Sequence, residues 1–428
     1  MSTHHQPASR PENTATPSPR RFDGLYLHLP FCFHKCHYCD FFSVVDRADQ
    51  DRQAAFTDAL IAELRAWARR TTLRPTTLFV GGGTPTFLRP ELWSRLLDAL
   101  RGLGVLEEVE EFTVEANPET VTFQLMQLLA DGGVNRVSIG AQSFQRESLA
   151  ALERWHDPDN VPRAVTACRE ADIDNLSLDL IFAIPGQTLA MLDDDLSRLV
   201  ALNPTHLSTY GLTYEPNTPL AARLRVGQVT PIDEDTQRAM YSHVLERLEA
   251  EGFEHYEVSN WALRQQLGTG AWGSERMGGT APSVRDAAPN LHPPTPNPKN
   301  RRCQHNLTYW LNRNWLGIGP SAASHRDGRR WRNVPNLATY IAEAPEVPTQ
   351  DHEELGPDGR VGERLMLGLR LAEGLDLAWI DEHVGPDDRR RHEIDHLIEL
   401  DMLERSATHL RLTRSGLFVA DSVIAKLL

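Results

Sequence analysis

Leu25-Tyr-Leu-His-Leu-Pro-Phe-Cys-Phe-His-Lys-Cys-His-Tyr-Cys39 places three cysteines, Cys32, Cys36 and Cys39, directly behind an apolar run. The chain has five cysteines in 428 residues, and the other two, Cys168 and Cys303, lie far away. Three thiolates in one short loop can hold three corners of an iron–sulfur cube. The fourth iron then has no protein ligand from this stretch, and an open iron is a place for chemistry. Zinc is the competing reading. A structural zinc takes four ligands, usually as separated Cys/His pairs, and here His34 or His37 would have to complete the site inside a cramped loop. Cysteines used only as core filling would not be grouped in one loop of a chain so sparing of them.

Outward from this loop, apolar strand-like runs alternate with helix-period segments. Strands are predicted at 25–29, 77–80, 112–115, 136–139, 176–181, 206–210 and 254–258. Helices are predicted at 54–68, 91–100, 121–129, 161–171, 189–202 and 234–250. This alternation predicts a parallel sheet covered by helices, and the unit count suits an open or closed barrel. The distinctive residues recur at the C-terminal ends of successive strands, where parallel barrels build their active sites. The cysteines follow the first strand and Gly81-Gly-Gly-Thr-Pro85 the second. Glu115-Ala-Asn-Pro118 ends the third, Gly140-Ala-Gln142 ends the fourth, and the fifth carries Asp179.

Glycines between a strand and a helix let backbone N–H and C=O groups approach a ligand closely. By itself the run reads equally well as a tight strand–helix turn. Glu115 and Asp179 sit in otherwise apolar strands, where a carboxylate is costly unless paired or bound to a ligand. A structural ion pair is the alternative for each. Arg154 suits such a carboxylate, or a ligand's, and Gln142 offers a neutral hydrogen-bonding group at the same face.

Beyond the barrel region the pattern breaks. Residues 1–22 are polar and rich in Pro, Ser and Thr, with no apolar core of a secretory signal, and read as a disordered leader. The barrel is predicted over 23–263 and a Gly/Pro-rich disordered insertion over 264–302. Ordered sequence resumes in a barrel extension, 303–358, opening on Cys303-Gln-His-Asn-Leu-Thr-Tyr-Trp310. Residues 359–428 form a small domain of helices followed by a short ribbon, resembling a winged helix. Its thirteen Asp/Glu and nine Lys/Arg over 361–428, net −4, point to a structural rather than a DNA-reading role. The whole chain carries a formal charge of −15, which argues against a nucleic-acid partner. No apolar run approaches the ~20 residues that span a bilayer, so a cytoplasmic location with free thiols is expected.

Taken together, Tyr26-Leu-His-Leu-Pro-Phe-Cys32 with Cys36 and Cys39, Gly81-Gly-Gly-Thr-Pro85, Val114-Glu-Ala-Asn-Pro118, Gly140-Ala-Gln-Ser-Phe144, Arg154-Trp-His156 and Leu178-Asp-Leu-Ile181 resemble a radical S-adenosylmethionine (SAM) protein. More narrowly they resemble the oxygen-independent coproporphyrinogen oxidases and their HemW-type relatives. The resemblance covers about 24–260, resumes at 303 and runs into the C-terminal domain. It implies an α/β fold, a partial (β/α)6 barrel with a smaller C-terminal helical, winged-helix-like domain. It implies a [4Fe–4S] cluster on Cys32, Cys36 and Cys39, with SAM chelating the open iron. An electron from the cluster, supplied by a flavodoxin-type donor, would cleave SAM to methionine and a 5′-deoxyadenosyl radical. By position it implies that Tyr26, Tyr38, Gly82, Gly83, Thr84, Glu115, Gln142, Arg154 and Asp179 contact SAM. One or two SAM molecules are compatible with it.

Two features separate the branches of this family. Oxidases carry a fourth cysteine two residues after the third, where this chain has Phe41. His305-Asn306-x-x-Tyr309-Trp310 also resembles the HemW branch. That branch implies a protein that binds haem and delivers it to acceptors such as membrane haem enzymes of respiration, with peripheral membrane contact during delivery. Radical decarboxylation of coproporphyrinogen III is the alternative activity. Haem needs an axial ligand and an apolar slot. His305 and Cys303 are the candidates, unless the segment serves to pack the barrel against the C-terminal domain.

Overall fold

The computed structural model describes residues 21–46, 52–264 and 301–428. Nearly all of the expected leader and insertion lies outside them. Six βα units build the barrel. Strands β1 (Gly24–Leu29), β2 (Thr77–Gly82), β3 (Glu111–Ala116), β4 (Arg136–Gln142), β5 (Asn175–Phe182) and β6 (His206–Gly211) lie side by side in chain order, all parallel. Helices α1 (Arg52–Arg70), α2 (Pro90–Gly102), α3 (Phe123–Asp131), α4 (Asn160–Glu170), α5 (Leu189–Ala201) and α6 (Glu234–Ala250) cover the outside.

The strands alternate with period 2, and the two sets of side chains do different work. One set is apolar and fully buried: Leu25 and Leu27, Leu78 and Val80, Phe112 and Val114, Val137 and Ile139, Leu176 and Leu178. These residues share one core with Leu60 and Leu64 of α1, Trp93 and Leu96 of α2, and Leu192 and Leu196 of α5. The other set is polar and faces the barrel interior: Tyr26 and His28, Thr113 and Glu115, Arg136 and Ser138, Ser177 and Asp179, His206 and Ser208. A polar lining of this size needs partners or a ligand. Short polar caps start several helices: Thr122 accepts from Leu125 N, Thr188 from Met191 N and Asp233 from Thr236 N.

The barrel is open. Among the described residues the main sheet holds twelve strands, extended at both edges. Beside β6 lies an antiparallel hairpin, β7 (Phe253–Glu257) and β8 (Asn260–Leu263). Beside β1 lies β9 (Trp315–Ile318), parallel to it, followed by the antiparallel strands β10 (Ala323–Arg326), β11 (Arg329–Asn333) and β12 (Thr349–Glu354). The extension is anchored by Glu63 of α1. Its buried carboxylate accepts hydrogen bonds from Tyr340 Oη (2.6 Å), Asn333 Nδ2 (2.8 Å) and Gly319 N (3.1 Å).

The C-terminal part has a core of its own, built from Leu365, Leu369, Ile380, Leu397, Leu410 and Ile424 among others. Helices Pro357–Gly368, Leu377–His383 and Arg389–Glu399 surround a three-stranded antiparallel sheet of Leu375–Asp376, His409–Leu412 and Leu403–Arg405.

Candidate functional site

The loop after β1 brings Cys32, Cys36 and Cys39 around a recess of about 40 Å³. A short parallel pairing of Phe31–Cys32 with Val44–Val45 closes the loop at its base. Thr84 Oγ1 lies 3.6 Å from Cys32 Sγ, and Arg154 Nη1 lies 3.7 Å from Cys36 Sγ. Two donors are thus aimed at two sulfurs, the kind of outer contact that orients and tunes metal-bound thiolates. Burial pushes the Cys32 thiol up, and pushes that of Cys39 up to about 11. Neither is a thiolate at neutral pH unless a cation displaces its proton. Among the described residues no three His, Cys, Asp or Glu side chains converge as a single metal ion requires. In an iron–sulfur cube each thiolate takes a different iron, so three thiolates spaced around one recess suit three of its corners.

The recess opens into a larger cavity of about 590 Å³ at the C-terminal ends of the strands. Tyr38, Cys39, Gly83, Thr84, Asn117 and Arg154 line both. The cavity wall also takes in Gly82, Glu115, Gln142 and Asp179. Eight of the nine residues expected around SAM therefore share one cavity. Tyr26 does not reach its wall; it sits deeper, with its hydroxyl 3.0 Å from His28 Nδ1.

Local structure explains how each side chain gets there. Gly82 has φ +111° and donates its N–H to Glu115 Oε2 at 3.2 Å. A Cβ on Gly81 would come within 2.7 Å of Glu115 Oε2, and one on Gly83 within 2.7 Å of Phe31 O. The glycine run thus lets its own backbone press against both the cysteine loop and β3. Gln142 has φ +62°, next to a register shift between β4 and β5, and this bulge turns its side chain toward the cavity. Arg154 is held from behind, donating through Nη2 to Gly140 O (3.1 Å) and through Nε to His156 Nδ1 (3.2 Å).

Glu115 and Asp179 face the cavity from β3 and β5, partly exposed to it yet deep in the barrel. Burial, and then the neighbouring Asp179, push the Glu115 carboxyl up to about 7. Burial also raises Asp179, against hydrogen bonds from Ser138 (3.1 and 3.3 Å) and Ser177 (3.4 Å) that favour its ionised form. Two crowded carboxylates gain from a ligand that brings hydroxyls or positive charge. The serines were missed in the sequence because single small polar residues in a strand carry no distinctive spacing. Their inward register next to Asp179 is the signal that finds them.

His305 and Cys303 lie elsewhere, near the N-terminal ends of the strands. Helix α7 (Gln304–Trp310) plugs that end of the barrel. His305 is 1 % exposed, with Nδ1 2.8 Å from Thr77 Oγ1 and Nε2 2.8 Å from Tyr309 Oη. Cys303 is equally buried, its sulfur 3.6 Å from Glu111 Oε1, and burial pushes its thiol up to about 12. Both ring nitrogens of His305 are engaged, by Thr77 and Tyr309. The segment is tied to the strand ends through Thr77 and Glu111.

Comparison with known proteins places this geometry. A model of the radical SAM superfamily matches residues 26–199, and one of the HemN C-terminal domain matches residues 355–419. The heme chaperone HemW of Mycobacterium tuberculosis is 34 % identical over 424 residues, 96 % of each chain. That of Lactococcus lactis is 30 % identical over 408 residues, 95 % of this chain and 97 % of its own. Among solved structures, the coproporphyrinogen III oxidase HemN from Escherichia coli superposes over 96 % of this chain and 91 % of its own, with a TM-score of 0.76 at 20 % identity. That likeness establishes the shared fold. Related over almost its whole length to such relatives, the chain belongs to the HemW heme chaperone family of radical SAM proteins.

Proposed function

We propose that this chain binds haem and passes it to haem-accepting proteins, while holding a [4Fe–4S] cluster on Cys32, Cys36 and Cys39 and SAM in the adjoining cavity. Near-full-length kinship with proteins named heme chaperones carries this reading. Phe41 supports it against the oxidase alternative. It stands two residues after Cys39, where the oxidase motif has a fourth cysteine, and it is 66 % exposed at the cavity wall.

When bound, the cluster would supply an open iron for SAM to chelate and an electron for cleaving the sulfonium bond. The chain's own residues bind and orient. The backbone of Gly82 and Gly83, with Thr84, forms a close-fitting edge for a zwitterionic ligand. Arg154 suits the ligand's carboxylate. Glu115 and Asp179 suit its ribose hydroxyls or positive charge, and Gln142 adds a neutral contact. Tyr38 covers the side toward the cluster. Haem acceptors include membrane enzymes of respiration, which bring the chain to the membrane periphery; a flavodoxin-type protein serves as electron donor. No helix among the described residues is long and apolar enough to cross a membrane.

The test is an anaerobic haem titration of the reconstituted protein, run beside an assay with coproporphyrinogen III and SAM. Stoichiometric, saturable haem binding with little protoporphyrinogen IX is expected. Clear turnover to that product would overturn the chaperone reading.

A further inference from the structure

Residues 152–156 clasp the cysteine loop. Leu152 O accepts from His37 N at 3.3 Å, and Glu153 O lies 3.0 Å from His34 Nε2. Arg154 reaches Cys36 Sγ. Trp155 lies flat on His34, with ring centroids 3.7 Å apart and planes 8° from parallel. Glu153, with φ +51°, makes the turn that puts successive side chains on opposite jobs: Arg154 inward, Trp155 outward. His34 and Trp155 both border the cysteine recess. Trp155 is nevertheless 61 % exposed, so its indole gains little from burial and has no core to fill. The stack sets a large aromatic directly on the side chain that lies between Cys32 and Cys36 in the loop.

We propose that Trp155 is a positioning residue for the cluster. Stacked on His34, it pins the Cys32–Cys36 segment and forms the outer wall that keeps solvent and small oxidants from the recess. This inference rests on the cluster assignment above and adds the pair His34–Trp155 to it. An aromatic stack worth a few-fold in the local opening equilibrium sets the size of the effect.

The wild type, Trp155→Ala, Trp155→Phe, His34→Ala and the double Ala variant are reconstituted anaerobically with iron and sulfide. Loss of the cluster's visible absorbance is then followed in air-saturated buffer. Trp155→Ala and His34→Ala should each bleach about three- to tenfold faster than wild type. Trp155→Phe should stay near wild type, and the double variant should bleach no faster than the quicker single variant. Melting of the cluster-free proteins should be nearly unchanged, since the indole is a surface group. Wild-type bleaching in Trp155→Ala, equal bleaching in Trp155→Phe and Trp155→Ala, or full multiplication in the double variant overturns the proposal. A wild-type protein that takes up no iron overturns the cluster assignment, and this inference with it.

Discussion

Gly82 shows how closely single residues are specified at this site. Its φ of +111° is open to glycine and strained for other residues, and a Cβ would stand 2.6 Å from the His28 ring. His28 cannot easily move, because its Nε2 lies 2.7 Å from Phe42 O and its Nδ1 faces Tyr26. Gly82→Ala should destabilise the protein by about 1–3 kcal/mol, read as a lower melting temperature. Gly102, at the end of α2, has nothing within 4 Å of a built Cβ. There the same change should be neutral or stabilise slightly, by up to about 1 kcal/mol. Glu115 makes a second prediction. Burial and the neighbouring Asp179 raise its carboxyl to about 7, so it changes charge close to neutral pH. A ligand whose hydroxyls or positive charge pair with the anion gains as pH rises through that value. SAM affinity measured by calorimetry should therefore tighten from pH 6 to pH 8, and Glu115→Gln should flatten the profile and bind more weakly.

At the scale of elements, α7 is short, yet it ties the extension to the barrel. Its first turn meets the Glu111 carboxylate, which accepts from Gln304 N (2.9 Å) and His305 N (3.0 Å). The His305 side chain adds bridges to Thr77 of β2 and Tyr309. Burial, with Arg136 nearby, pulls the imidazole down to about 3, so it stays neutral across the physiological range. Truncation would leave the Thr77 and Tyr309 hydroxyls without this partner inside the barrel. His305→Ala should cost about 2–4 kcal/mol of stability by chemical denaturation. A stable variant that loses only haem binding would contradict the packing role assigned to α7.

In the whole molecule, the barrel edge and the C-terminal domain are joined by backbone bonds. Val258 N donates to Arg370 O (3.1 Å) and Ala372 N to Tyr256 O (3.0 Å), around a single antiparallel bridge between Glu257 and Leu371. Glu257 is buried at this seam, and desolvation pushes its carboxyl from the ordinary 4.5 up to about 7. The folded chain therefore holds that proton more tightly than the unfolded chain does. The stability this group contributes is full below about pH 4.5 and is lost as pH rises through about 7. Glu115 acts in the same direction. Melting temperature in the ligand-free protein should show a downward contribution from these groups between pH 4.5 and 7, and Glu257→Gln should remove part of it. An unchanged pH slope in that variant would place the titration elsewhere.

Period-2 alternation and helix-period runs made the six βα units legible along the chain, because each depends on neighbours a few residues apart. The same local order put Cys32, Cys36 and Cys39, the glycine run, Glu115, Gln142 and Asp179 at the ends of successive strands, which was enough to expect a shared face. Strands β10 to β12 were not legible. They are short and polar with no apolar alternation, and β11 is tied to α1 through the Asn333–Glu63 hydrogen bond. Nor could residue type alone decide His305. A histidine beside Tyr and Trp reads as a ligand candidate, and only the folded structure shows its two ring nitrogens meeting Thr77 and Tyr309. The sequence by itself determined the barrel units and pointed to cluster chemistry at the three cysteines. Only the tertiary structure decided that residues 152–156 wrap that loop and that α7 plugs the opposite end, because both depend on segments distant in the chain meeting in space.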